Sequence, residues 1–119
     1  MSKRDIKLYV EGILELIKAI EKFVEGADFE SFKEDEKASS AVIRKFEIIG
    51  EATKNIPQSI KEKYLHISRR EILGLCDRLI RSHFEYKIQY DVVWDTIKLK
   101  LPELRNNIER VPKDLEGER

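Results

Sequence analysis

The feature that most constrains this chain is an unbroken apolar stripe near its start. Ile6, Val10, Ile13, Ile17, Ile20 and Val24 step by 4, 3, 4, 3 and 4 residues, the repeat of one helix face rather than the two-residue repeat of a strand. The spacing predicts a helix from near Asp5 until Gly26 stops it. Leu14, Leu16 and Phe23 widen the apolar band beyond what one packing partner needs. Such a helix must be covered by other elements, and the remaining sequence offers more helices. The second is expected from about Asp35 to Asn55, with Val42, Phe46, Ile49 and Ile56 on one side, small residues (Ala38 to Ala41) leading it and Pro57 ending it. Gly50 in its interior costs about 1 kcal/mol relative to alanine, which implies a close helix contact there. Residues 27–34 read as a connection that Phe29 and Phe32 tack onto the core, and residues 58–66 as a turn-rich stretch with room for one helical turn.

The second half continues the pattern. Ser68-Arg69-Arg70-Glu71 has the form of a capping box, and it opens a third helix through Ile72, Leu75, Cys76, Leu79 and Ile80 to about His83. Asp91 is expected to cap a fourth helix carrying Val92, Val93, Trp94, Ile97, Leu101, Leu104 and Ile108. Pro102 should kink or split that helix, and Pro112 should lie past its end. With five glycines and three prolines in 119 residues, the chain has few sites for the frequent turns of a β fold. The fold class expected is therefore all-α: an antiparallel up-and-down bundle of four to five helices, with the bundle over residues 1–112 and a charged, frayed tail over 113–119.

Charge and composition limit the functions available. Lys and Arg together number 23, as do Asp and Glu, so the formal net charge is zero. Contact with nucleic acid must then be local, through one face, because backbone gripping of a long polymer calls for an excess of basic charge. Cys76 is the single cysteine, which excludes an internal disulfide and fits a reducing cytoplasm. No apolar run is long enough for a membrane span, and the charged start does not read as a secretory leader. A chain this short leaves much of its surface exposed, and assembly into an oligomer would cover some of it.

The two histidines, His66 and His83, lack the spacing of a metal site: no His-Glu-x-x-His, no paired cysteines and no Glu-x-x-His of a di-iron bundle are present. No cofactor is expected. His66 falls in a linker and reads as ordinary surface. His83 closes the third helix within Asp77-Arg78-Leu79-Ile80-Arg81-Ser82-His83-Phe84-Glu85-Tyr86, and two readings stand. In one, Asp77 and Arg81 are a surface i,i+4 pair and His83 is a cation near a helix C-terminus. In the other, these residues form a metal-free nuclease site. There the histidine moves the 2′-hydroxyl proton or protonates the leaving oxygen, and an arginine holds the phosphate. Arg78 and His83 are five residues apart, about 140° around an ideal helix, so convergence requires the helix to end between them or two subunits to share the site. On the second helix Arg44, Glu47 and Glu51 share one face. They can form a solvated ion-pair row. Tyr90 and Trp94 read as core and interface residues.

The stretch Ala41-Val42-Ile43-Arg44-Lys45-Phe46-Glu47-Ile48-Ile49-Gly50-Glu51-Ala52-Thr53-Lys54-Asn55-Ile56-Pro57 closely resembles the hallmark helix of the HepT-like branch of the HEPN superfamily. Glu71-Ile72-Leu73-Gly74-Leu75, Tyr90-Asp91-Val92-Val93-Trp94-Asp95-Thr96-Ile97 and Leu101-Pro102-Glu103-Leu104 are similar to the later signatures of that branch. The resemblance spans roughly residues 5–110 and favours Arg44, Glu47 and Glu51 as a polar ladder facing a cleft. It implies a HEPN-like helical bundle that forms a homodimer through its long helices. It further implies a metal-independent endoribonuclease acting as the toxin of a toxin–antitoxin pair, with a minimal nucleotidyltransferase as cognate antitoxin. The family pattern Arg-x4-His, often extended by x-Tyr, maps onto Arg78 and His83. The tyrosine place falls on Glu85, with Tyr86 one residue further as the candidate for AMP attachment. A second register, anchored on Gly74, sets Cys76 at the arginine, Arg81 at the histidine and His83 at the tyrosine. That register implies a degenerate site, and a dimer that serves as a binding module for the nucleotidyltransferase or for a nucleotide.

Overall fold

A computed structural model describes residues 2–65, 74 and 90–117. The first helix, α1 (Lys3–Phe23), begins where the Ser2 side chain accepts the Asp5 N–H at 3.1 Å, satisfying one of the free donors of a helix start. It buries Ile6, Val10, Ile13, Ile17 and Ile20, the stripe expected from spacing alone. Gly26, at φ 74°, turns the chain away just past the helix end, a left-handed conformation that glycine adopts without a Cβ penalty.

Residues expected to form only a connection contain a helix, α2 (Phe29–Glu34). Its start is locked reciprocally: Asp28 accepts the Ser31 N–H at 2.8 Å, and the Ser31 hydroxyl accepts the Asp28 N–H at 3.1 Å. Phe32 is 2% exposed, and its ring lies 5.3 Å from that of Trp94, with Phe29 at 6.3 Å. Asp35 then serves two helices. Its N–H closes α2 onto the Ser31 carbonyl, and its carboxylate accepts the Ala38 N–H at 3.0 Å to open α3 (Glu36–Lys54). Pro57 separates α3 from α4 (Gln58–Ile60), which passes into a π-helical turn, Lys61–Leu65.

The last stretch is helical throughout: α5 (Tyr90–Asp95), a π-helical turn (Thr96–Lys100) and α6 (Leu101–Gly117). Asp91, expected as an N-cap, lies inside α5. The disturbance expected at Pro102 is this wide turn, in which the Leu101 N–H reaches back five residues to Thr96. Proline supplies no N–H for the next ordinary bond, and a π turn is one way for a helix to absorb that loss. Pro112 corrects an expectation. The helix runs through it to Gly117, because Leu101, Leu104, Ile108, Val111 and Leu115 continue one buried stripe. Residues 113–117, expected to fray, belong to that helix.

α1 packs against both α3 and α6. Lys7 near the start of α1 pairs with Glu116 at 2.9 Å, and Glu21 near its end pairs with Arg105 at 2.6 Å, so α1 and α6 run antiparallel. Such surface pairs contribute little energy, and the burial between them carries the packing. Among the described residues, the buried hydroxyls of Ser39, Thr53 and Thr96 each donate to a carbonyl one turn back in the same helical stretch, which satisfies them without a cross-helix partner. No strand occurs among the described residues. The architecture is the all-α, HEPN-like bundle that was expected.

Candidate functional site

Arg78, His83 and Tyr86 lie outside the described residues, as do Cys76 and Arg81 of the alternative register. Of the third helix expected over 72–83, Gly74 alone is described, and it is helical and exposed. The part of the expected site that can be placed is the polar face of α3. There Arg44 Nη1 meets Glu47 Oε2 at 3.3 Å, with the arginine side chain 71% exposed. Glu51 turns the other way and accepts from Lys54 Nζ at 3.1 Å. The three residues do share a face, but the row is divided into two short pairs rather than one continuous ladder. Both ends of the row are open to solvent, the Glu51 side chain being 73% exposed, and the Arg44 guanidinium at one end could be offered to a phosphate.

Two polar features were not legible beforehand. Tyr64, in the π-helical turn after α4, is 4% exposed, and its hydroxyl donates to the Asp114 carboxylate of α6. Burial, and then the neighbouring carboxylate that its hydroxyl bonds, hold the phenol above its ordinary pKa, with Lys63 opposing. The Arg110 guanidinium lies 5.8 Å from the ring centroid and Lys63 Nζ 5.2 Å. The segment Lys-Glu-Lys-Tyr-Leu at 61–65 has no apolar repeat that would flag Tyr64 as core. The second feature is an open pocket of about 250 Å³ where the end of α1 meets the π-helical turn before Pro102, lined by Glu21, Glu25, Gly26, Ile97, Lys98 and neighbours. Glu21 there is already paired with Arg105, and Lys98 Nζ sits 4.7 Å from the Trp94 ring centroid. Among the described residues, no group of three potential metal-ligating side chains converges, and no helix is long and apolar enough to cross a membrane.

A family profile described as "Ribonuclease HepT-like" matches residues 13–111. This chain belongs to the HepT-like ribonuclease family. The match begins inside α1 and ends within α6, so it takes in all or part of every described helix. Relatives agree with it. A protein of Methanocaldococcus jannaschii named "Putative RNase MJ1216" is 41% identical over 98% of this chain and 95% of its own length. A second from that organism, "Putative RNase MJ0125", is 42% identical over 98% of both chains. "Probable ribonuclease HepT" of Thermococcus cleftensis is 41% identical over 93% of this chain and 99% of its own. No solved structure matches at the same stringency. For this HepT-like protein, then, the sequence resemblance and the bundle point the same way, and ribonuclease-type function is the family's character.

Proposed function

We propose that this HepT-like protein is the metal-independent endoribonuclease toxin of a toxin–antitoxin pair, active as a cytoplasmic homodimer. The observation that carries the reading is the ribonuclease family match over residues 13–111, which includes the Arg78-x4-His83 positions. Arg78 holds the scissile phosphate and offsets the charge that grows on it. His83 acts as acid and base, imidazole being the side chain that can gain and lose a proton near neutral pH. The 2′-hydroxyl gives up its proton and its oxygen bonds phosphorus. The P–O5′ bond breaks, and the departing 5′ oxygen takes a proton, leaving a 2′,3′-cyclic phosphate and a 5′-hydroxyl. The exposed Arg44 supports a local RNA contact without the excess positive charge that the sequence lacks. A minimal nucleotidyltransferase is the proposed partner, silencing the site by attaching AMP to Tyr86.

The test is cleavage of a labelled RNA in excess EDTA by wild type and by Arg78→Ala, His83→Ala, Cys76→Ala and Arg81→Ala variants. Wild type should cut, and the Arg78 and His83 variants should each lose roughly 10²-fold or more, while Cys76→Ala and Arg81→Ala stay active. A folded wild-type protein of unmodified intact mass that leaves the RNA whole would overturn the nuclease reading in favour of a degenerate, partner-binding dimer. Co-expression with a neighbouring nucleotidyltransferase should add AMP to the wild type, and Tyr86→Phe should prevent it.

A further inference from the structure

The end of α1 sets an aromatic ring in solvent among cations. Phe23 closes the helix and, at 46%, is the most exposed aromatic side chain among the described residues. The buried stripe of α1 runs on through Ile20 to Val24, so the core does not need this ring. Lys45 of α3 reaches it from the side, its Nζ 5.7 Å from the ring centroid. On α3 the surface continues outward to Ile48, 37% exposed, and to Arg44, one turn before it. On α1 the exposed Lys22 stands next to the ring in sequence.

The charge around the ring is positive, although the chain as a whole is neutral. Neither Lys22 nor Lys45 is engaged in an ion pair among the described residues. Arg44 is paired with Glu47 at 3.3 Å, yet its side chain is 71% exposed, and a guanidinium has donors to spare beyond one such bond. Ring and cations together match what single-stranded RNA presents. An unpaired base stacks its face on an aromatic ring, and the phosphates to either side take the lysines and the arginine. A cation over an exposed ring is held weakly, so the Lys45 ammonium can yield the ring face to a base and move to that nucleotide's phosphate. Duplex RNA fits poorly, because its bases are already stacked within the helix. An anionic membrane fits poorly too, since Glu11 and Glu15 stand on the exposed side of α1 where basic residues would be called for.

We infer that Phe23 is the stacking platform of an RNA subsite, with Lys22, Lys45 and Arg44 holding the neighbouring phosphates. The inference rests on the ribonuclease reading above and adds the class of substrate, a single strand, and a place where it is gripped. Fluorescence anisotropy on the full chain tests it, using a labelled single-stranded 2′-O-methyl oligonucleotide beside a duplex of the same sequence. The oligonucleotide has no free 2′-hydroxyl and stays uncut, so binding is read apart from chemistry. Wild type should prefer the single strand. Phe23→Ala should bind it roughly tenfold more weakly, and Phe23→Tyr should bind as wild type does. Lys22→Gln/Lys45→Gln should weaken binding and make the dependence of log affinity on log salt shallower by about 1. With cleavable RNA, Phe23→Ala should raise KM and leave kcat unchanged. Circular dichroism should find every variant folded, and light scattering should give each the wild-type mass. The subsite is overturned if wild type binds no RNA or binds duplex equally, if Phe23→Ala binds as wild type does, or if that variant changes its assembly mass. Should wild type cut RNA in any of those cases, the ribonuclease reading stands without the subsite. If wild type grips the single strand through Phe23 yet cuts no RNA, the subsite stands and the ribonuclease reading falls.

Discussion

Replacing Tyr64 with phenylalanine isolates one contact of the fold. The ring stays in place, along with its burial and the Arg110 and Lys63 cations near its face, so the change removes only the hydroxyl that donates to Asp114. A hydrogen bond to a charged group contributes about 1.5–3 kcal/mol where both partners are shielded. Asp114 is only half-buried, so water restores part of the loss and about 1–2 kcal/mol remains. For a domain of this size that is a fall of roughly 5–10 °C in melting temperature, read by circular dichroism at one fixed protein concentration because self-association would shift it. Asp114→Ala should cost a similar amount, and the double variant little more, giving a coupling of about 1 kcal/mol or above. The pH dependence adds a second reading. The phenol is held above its ordinary pKa, so the unfolded chain releases its proton first. The tyrosine's contribution is complete below pH of about 10 and declines as pH rises through the folded value. Tyr64→Phe should lack that decline. A Tyr64→Phe protein within about 0.5 kcal/mol of wild type, or a cycle with no coupling, would refute the reasoning.

Phe32→Ala should cost about 3 kcal/mol and shift the emission of Trp94, the chain's single tryptophan, to longer wavelength as its aromatic cover is lost. Pro112→Ala should stabilise the protein by about 1–3 kcal/mol, measured by chemical denaturation; no gain would mean that the chain is not helical on both sides of residue 112. Asp28 is held below its ordinary pKa, first by the Ser31 N–H, so its contribution to stability is present above pH of about 4 and lost as pH falls through the lower folded value. The stability gap between wild type and Asp28→Ala should therefore narrow below pH 4 in acid titrations followed by circular dichroism.

The helices with long apolar repeats were legible in the sequence because the repeat is itself the packing. α1 and α3 lie where Ile6 to Val24 and Val42 to Ile56 put them, and Asp35 caps as its type allows. The losses have separate causes. α2 is six residues long, too short for a periodic signal, and its capping box ends in Ser31 where a glutamate is the familiar mark. At Pro112 the rule that proline stops a helix outweighed a stripe that was visible through Leu115. Helix propensity is a local cost of a few kcal/mol, and burial of Val111 and Leu115 outweighs it. The proposed site residues, Arg78 and His83, rest on residue chemistry and resemblance alone: they carry no periodic pattern, and a second register puts Cys76 and Arg81 in their places. Tyr64 and Asp114 are 50 residues apart, and no local rule connects them.

The pairing of α1 with α6 has a consequence for how the protein comes into being. Glu21 and Arg105 are separated by 84 residues and Lys7 and Glu116 by 109, so a ribosome must make nearly the whole bundle before the first helix meets its last partner. At about 5–20 residues per second that interval is several seconds at least. Throughout it, the flank of α1 that α6 will cover stays open to water, chaperones and other nascent chains. Bringing such distant segments together adds a loop-closure cost that grows only with the logarithm of their separation. The hazard is therefore one of timing more than of free energy, and slow translation of the later helices would lengthen it.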